Sequence, residues 1–204
     1  ALLKTACLKD GIFLTSLLDL AALGTFSDVV PLTAENRVLA VGGLNQINAR
    51  QRLGIKQLAA AASLHGKICA NQIYFALAPR INAAGRLEHA SKAVDLLLTD
   101  DPEEAKSLSA ELGRINSRRQ EIGSLIREEV FASLNQSYVA ENKLILLSGD
   151  GWHPGVIGIV ASKVVDTFNR PTVLIGVKNG VGRGSARSVD GLNIYDILNS
   201  CHDL

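Results

Sequence analysis

The stretch "DDPEEAKSLSAELGRINSRRQEIGSLIREEVFASL" constrains the fold more than any other part of the sequence. Leu108, Leu112, Ile115, Ile122, Ile126 and Val130 recur at helical spacing, which predicts one amphipathic helix from Pro102 to Leu134. Asp101 suits the N-cap, Pro102 the first helical position, and Glu104 a capping-box partner. At about 1.5 Å per residue the helix is roughly 45–50 Å long, which suits a strut between two domains. The 204 residues leave enough chain for a core on either side of it.

Upstream, short apolar runs alternate with turns as far as about Asp100. "ENRVLAVGGLNQINA" predicts a helix from near Glu35, although Gly42 and Gly43 are poor helix formers. "GIKQLAAAASL" and "EHASKAVDLLLTD" predict two more helices. Downstream, "KLILLSGDG" predicts a strand, followed by a helix from about Gly155 to Phe168 and a second strand in "PTVLIGVKNG". "GRGSARSV" reads as a turn leading into a third strand, and "LNIYDILNSCHDL" as a helix. This β-α-β order implies an α/β domain with a parallel strand pair. The expected division is 1–100, a connecting helix over 101–136, and a smaller α/β domain over 137–204.

Composition excludes several classes. With 47% apolar and 20% charged residues, the chain has the make-up of a soluble globular protein. The net charge of +1 gives no global attraction for nucleic acid, so such a site would have to be a local basic patch. Cys7, Cys69 and Cys201 have no paired spacing, which argues against a disulfide framework or a zinc site and fits a reducing cytoplasm. No apolar run reaches membrane-spanning length, and no secretory signal pattern is present. The chain has no Met and opens mid-pattern with "ALLKTACLKDGIF", as a fragment would, or a sequence written without its methionines.

Four segments carry chemistry. In "LLDLAALGTFSDVVPL", Asp19 and Asp28 sit among aliphatic residues, where an acid must be paired, hydrogen-bonded or bound to metal. Asp19 as a cap and Asp28 as a turn residue is one reading. Asp19 as one carboxylate ligand of a divalent cation such as Mn²⁺ or Mg²⁺ is the other. In "FALAPRINAAGRLEHA", Arg80 and Arg86 flank the small residues Asn82, Ala83, Ala84 and Gly85. Guanidinium forks suit phosphate, while small residues equally suit tight helix packing. In "GDGWHPGVIGIVASKV", His153 precedes a helix N-terminus, and Trp152 suits either base stacking or a core anchor. In "GVGRGSARS", Gly180, Gly182 and Gly184 with Ser185, Arg187 and Ser188 form a candidate phosphate-binding turn, though not a dinucleotide fingerprint.

Taken in order, "DLAALGTFSDVVPL", "LAPRINAAGRLEHA", "GWHPGVIGIVASKV" and "GRGSARSVDGLNIYDIL" resemble successive blocks of the RecJ family of single-strand-specific exonucleases, within the DHH phosphoesterase superfamily. The resemblance covers nearly the whole chain. It implies an α/β architecture: the C-terminal part of a DHH catalytic domain, the connecting helix, and a DHH-associated domain across a cleft. It also implies 5′-to-3′ degradation of single-stranded DNA in repair and recombination, with two Mn²⁺ or Mg²⁺ ions. A single-strand-binding protein and a helicase are the implied protein partners, and no membrane is involved. Asp19 matches the last of the family's metal-binding aspartates, and Asp28 a position of structural role. Arg80, Asn82 and Arg86 would hold phosphates, and His153, Arg183, Ser185 and Arg187 would meet the strand from the associated domain.

The family's earlier Asp motifs and its Asp-His-His triplet have no counterpart in this sequence and are expected upstream of Ala1. Its Gly-Gly-His motif is expected beyond Leu204. The expectation is therefore an internal piece of a nuclease with an incomplete metal site, inactive on its own. Two alternatives are a relative acting on short oligonucleotides or cyclic dinucleotides, and a non-catalytic nucleic-acid-binding relative. Intact or substituted upstream Asp motifs separate the nuclease from the non-catalytic relative.

Overall fold

A computed structural model describes residues 11–49 and 52–201, so Cys7 lies outside the described residues. The chain divides into two compact units, Ala1–Ser117 and Arg118–Leu204, with the boundary inside a single helix.

The described part of the first unit is helical. It comprises α1 (Gly11–Ser16), α2 (Leu18–Ser27), α3 (Ala34–Ala49), α4 (Leu53–Ala61), α5 (Ala70–Gln72), a π-helical turn (Ile73–Leu77), α6 (Ala78–Leu87), α7 (Ser91–Leu98) and the first half of α8 (Pro102–Ser133). Its core is aliphatic, built on Leu23, Ile47, Leu58, Leu77, Leu96 and Leu112, with Phe26 set edge-on to Tyr74 at 5.3 Å. The helix expected from near Glu35 runs unbroken through Gly42 and Gly43. The backbone of α2 crosses there so closely that a Cβ on Gly43 would lie 2.0 Å from the Leu18 carbonyl oxygen. The glycine that weakens the helix locally is what admits its neighbour.

Helix α8 starts as its sequence requires, with Asp101 Oδ1 accepting from the Glu103 N–H at 2.8 Å and the Glu104 N–H at 3.4 Å. The capping box expected of Glu104 does not close. Its carboxylate accepts from the Thr99 hydroxyl, and the Asp101 N–H donates to Thr99 Oγ1 at 3.1 Å. Thr99 thus stands between the two groups. Leu112, Ile115, Ile126 and Val130 are buried along the helix, as the spacing predicts.

The second unit holds the rest of α8, then α9 (Gln136–Glu141), β1 (Ile145–Asp150), α10 (Pro154–Phe168), β2 (Thr172–Lys178), β3 (Val181–Arg187) and α11 (Ile194–Ser200). The sheet order is β1-β2-β3. β1 and β2 run parallel, Ile145 opposite Thr172 through Asp150 opposite Val177, and α10 supplies the crossover that parallel strands need. β3 returns antiparallel, with Gly176 opposite Arg183 and Thr172 opposite Arg187. The turn expected at "GRGSARS" is instead strand. The reversal lies just before it, at Asn179 and Gly180, whose φ values of 52° and 75° suit the tight hairpin favoured by Asn-Gly. Gly182 and Gly184 therefore belong to an edge strand.

Candidate functional site

The first candidate centre lies in the first unit. Asp19, the second residue of α2, is 5% exposed. Its Oδ2 accepts from Arg52 Nε at 2.7 Å, and its Oδ1 from Arg52 Nη2 at 3.2 Å and the Leu20 N–H at 2.7 Å. This side-on fork is the strong form of carboxylate recognition and accounts for the burial of the charge. Arg52, the residue just before α4, also donates to the Leu97 carbonyl at 3.1 Å and the Ser16 carbonyl at 3.2 Å. Together with Gln46, Thr99 and Asp100, Asp19 and Arg52 line a pocket of about 410 Å³.

An ionised carboxylate offers about four lone-pair sites. Among the described residues the donors to Asp19 take two on Oδ1 and one on Oδ2, which leaves one on Oδ2. Asp19 therefore fits a single ligand position of a divalent-cation site. No group of three or more His, Cys, Asp or Glu able to hold a metal occurs among the described residues, so these residues do not by themselves make a whole site.

A second pocket in the same unit, about 450 Å³, brings Asp28 together with Asn82, Gly85 and Arg86, and Leu97 lines both pockets. Asn82 and Arg86 stand four apart on α6 and so share a face. Arg80 is not among that pocket's lining. Its Nη1 donates to the Ala76 carbonyl in the π-helical turn at 2.7 Å, and its buried Nε has no hydrogen-bond partner among the described residues. Ala83 and Ala84 are fully buried in the core, so that part of the small-residue run serves packing.

The second unit carries the other candidates. Trp152 is a core anchor: it is 8% exposed, and its Nε1–H donates to Glu129 Oε2 of α8 at 2.6 Å. Gly149 and Gly176 make room for it, since a Cβ would lie 2.0 Å from the indole at the first and 2.1 Å from the Trp152 carbonyl oxygen at the second. His153 caps α10 by accepting the Gly155 N–H on Nδ1 at 3.1 Å, which leaves Nε2 to carry the ring proton of the neutral form. His153 and Arg183 line a pocket of about 460 Å³ with Lys178 and Asn179, and no carboxylate belongs to that lining.

Arg183, Ser185 and Arg187 alternate along β3 and share a face of the sheet. Ser185 and Arg187 lie over Gly158 of α10, where an added Cβ would sit 2.8 Å from Ser185 Oγ and 2.9 Å from Arg187 Nη2. Arg187 Nε donates to Ser162 Oγ at 3.2 Å, and its Nη1 donates to Ser185 Oγ at 3.3 Å and the Ala186 carbonyl at 2.7 Å. The result is a polar row on the edge strand, running beside α10.

Sequence reasoning missed Arg52 and Lys178. The burial of Asp19 signalled that a partner must exist, but nothing local named one 33 residues away. Lys178 joins its pocket through the hairpin that follows it.

A parallel β-α-β unit extended by a hairpin, preceded by the helix that anchors its Trp, defines the class: residues 137–203 match the DHHA1 domain. Over 191 residues the chain is 41% identical to the single-stranded-DNA-specific exonuclease RecJ of Bacillus subtilis, covering 92% of this chain and 24% of that protein. The crystal structure of RecJ from Thermus thermophilus in complex with Mg²⁺ matches with a TM-score of 0.83 at 40% identity, over 93% of this chain and 29% of that one. An exonuclease RecJ bound to manganese matches with a TM-score of 0.80, over 93% of this chain and 47% of that one. Over more than nine-tenths of its length the chain is thus similar to RecJ exonucleases, and it spans about a quarter of the Bacillus subtilis relative.

Proposed function

We propose that this chain is part of a metal-dependent nuclease that degrades single-stranded DNA from the 5′ end in repair and recombination. The observation that carries the reading is the match to RecJ exonucleases over more than nine-tenths of the chain, in sequence and in fold. Mn²⁺ or Mg²⁺ is the cofactor of this reading, supported by the Mg²⁺ and manganese complexes of the structural relatives. Asp19 supplies one ligand through its remaining Oδ2 lone pair, and the other ligands come from outside the described residues.

Bound divalent cations would activate water and stabilise charge on the attacking and leaving oxygens of the phosphodiester. The residues of this chain bind and orient the strand. Asn82 and Arg86 offer an amide and a guanidinium to phosphate oxygens from one face of α6. His153 offers its Nε2–H, with Arg183, Ser185 and Arg187 adding donors along β3. Arg80, tied to the Ala76 carbonyl, acts through a second nitrogen or by its charge. A single-strand-binding protein and a helicase are the protein partners that fit such an enzyme.

The test is an assay of the full-length open reading frame on 5′- and 3′-labelled single strands, duplexes and short oligonucleotides, with Mn²⁺ and with EDTA. The expected result is metal-dependent loss of single strands from the 5′ end, abolished in Asp19→Ala. Turnover restricted to dinucleotides, or none at all, would replace this function with another.

A further inference from the structure

We propose that Arg52 is a positioning residue for Asp19: its guanidinium fixes the carboxylate so that the remaining Oδ2 lone pair is held ready for a divalent cation. The inference rests on the metal role given to Asp19 above. Arg52 uses Nε and Nη2 on the two carboxylate oxygens, at 2.7 Å and 3.2 Å. Two further donations go to backbone carbonyls, Ser16 at the end of α1 and Leu97 near the end of α7. Those carbonyls hold the fork in place whether or not Asp19 is engaged elsewhere. The guanidinium is thus a template fixed by two segments, against which the start of α2 is set.

A carboxylate free to rotate would present its oxygens in several directions and lose rotamer freedom on binding metal. One locked on three sides loses little. Lysine cannot substitute, because an ammonium has no planar fork to grip both oxygens while reaching two carbonyls.

Three roles for Arg52 make different predictions. A positioning residue strengthens metal binding. A competitor for the Asp19 charge weakens it, because a guanidinium beside a cation repels it. A purely structural clamp leaves the metal affinity of the folded protein unchanged and acts only on stability.

The experiment titrates the full-length protein with Mn²⁺, reading free Mn²⁺ by electron paramagnetic resonance, for wild type, Arg52→Lys, Arg52→Gln and Asp19→Asn, with melting curves alongside. Positioning predicts about 10–100-fold weaker binding at one site in folded Arg52→Lys and Arg52→Gln, the range found for lost outer-shell partners. Tighter binding in Arg52→Gln, or unchanged affinity with a lowered melting temperature, overturns the proposal. If Asp19→Asn weakens binding but the Arg52 variants do not, the positioning role alone fails. If Asp19→Asn binds Mn²⁺ as wild type does, the metal reading fails and this inference with it. A crystal structure of the wild type soaked with Mn²⁺ keeps the test open even if the Arg52 variants do not fold. The fork must stay within hydrogen-bond distance of Asp19 there, and its release on metal binding would overturn the proposal.

Discussion

The close crossing of α2 and α3 makes a two-sided test of the fold around Asp19. A methyl group at position 43 would meet the Leu18 carbonyl oxygen at 2.0 Å and the Ala22 Cβ at 2.3 Å. Neither atom can rotate away, so the two helices must separate by more than about 1 Å to reach ordinary contact near 3.5 Å. Overpacking of this kind costs about 1–3 kcal/mol, and a backbone obstacle puts Gly43→Ala at the upper end. Alanine regains up to about 1 kcal/mol of helix propensity, so the net loss is about 2 kcal/mol. Gly24, on the exposed side of α2, has nothing within 4 Å of its added Cβ. Gly24→Ala should therefore stabilise the same helix by up to about 1 kcal/mol. Urea unfolding followed by far-UV circular dichroism resolves a spread of about 3 kcal/mol between the two variants. Two variants of the same sign, or a neutral Gly43→Ala, would refute the close crossing. Because Leu18 precedes Asp19, the separation should also weaken Mn²⁺ binding by the full-length protein.

Trp152→Phe removes the indole donation to Glu129 and part of the filling between Gly149 and Gly176; unfolding by circular dichroism should show a loss of about 2 kcal/mol. Glu129→Gln, which keeps an acceptor, should cost less. Arg86→Ala and Arg187→Ala should each weaken single-stranded DNA binding by the full-length protein for all sequences alike, and flatten the log–log salt dependence by roughly 0.7 for each phosphate no longer neutralised. An unchanged slope with a lowered melting temperature would make either arginine a packing residue. Lys92 bonds to Glu111 and to Glu88, and these contacts raise its pKa. A raised folded pKa stabilises below the unfolded value of about 10.4 and is lost as pH climbs through the folded value. Stability of Lys92→Met should accordingly decline less across that alkaline interval than stability of wild type, as melting curves across the range would show.

Features that repeat along the chain were legible in the sequence. The periodic leucines and isoleucines of α8 and the Asp101 cap specify a helix whatever surrounds them, and the two apolar runs around α10 specify the parallel strands. Features that depend on a distant partner were not. Arg52 meets Asp19 across 33 residues, and no spacing rule selects it from the other arginines. Asp28, Asn82 and Arg86 line one pocket only once α2 and α6 have packed. The π-helical turn Ile73–Leu77 escapes because a single turn of 5 residues is too short for side-chain periodicity to set it apart from the helices on either side. At β3 the glycines misled: Gly182 and Gly184 read as a turn, whereas the edge of the sheet tolerates them and the Asn-Gly pair just before makes the reversal.

The placement of the unit boundary inside α8 has a consequence for anyone who wishes to produce the associated domain by itself. The DHHA1 match begins at residue 137, but the physical unit begins at Arg118. Between the two lie Glu129, which bonds Trp152; Phe131, whose ring lies tilted against that of Phe168 with centroids 5.6 Å apart; and Gly123, against Val156. A plasmid encoding residues from 137 onward would uncover the Val156 side of α10 and leave the indole without its acceptor, a recipe for inclusion bodies. Starting at 118 keeps the covering half-helix, though it cuts α8 mid-turn and leaves its first N–H groups bare. An Asp or Ser placed just before that cut would cap them, and the excised domain should then be recovered in soluble form.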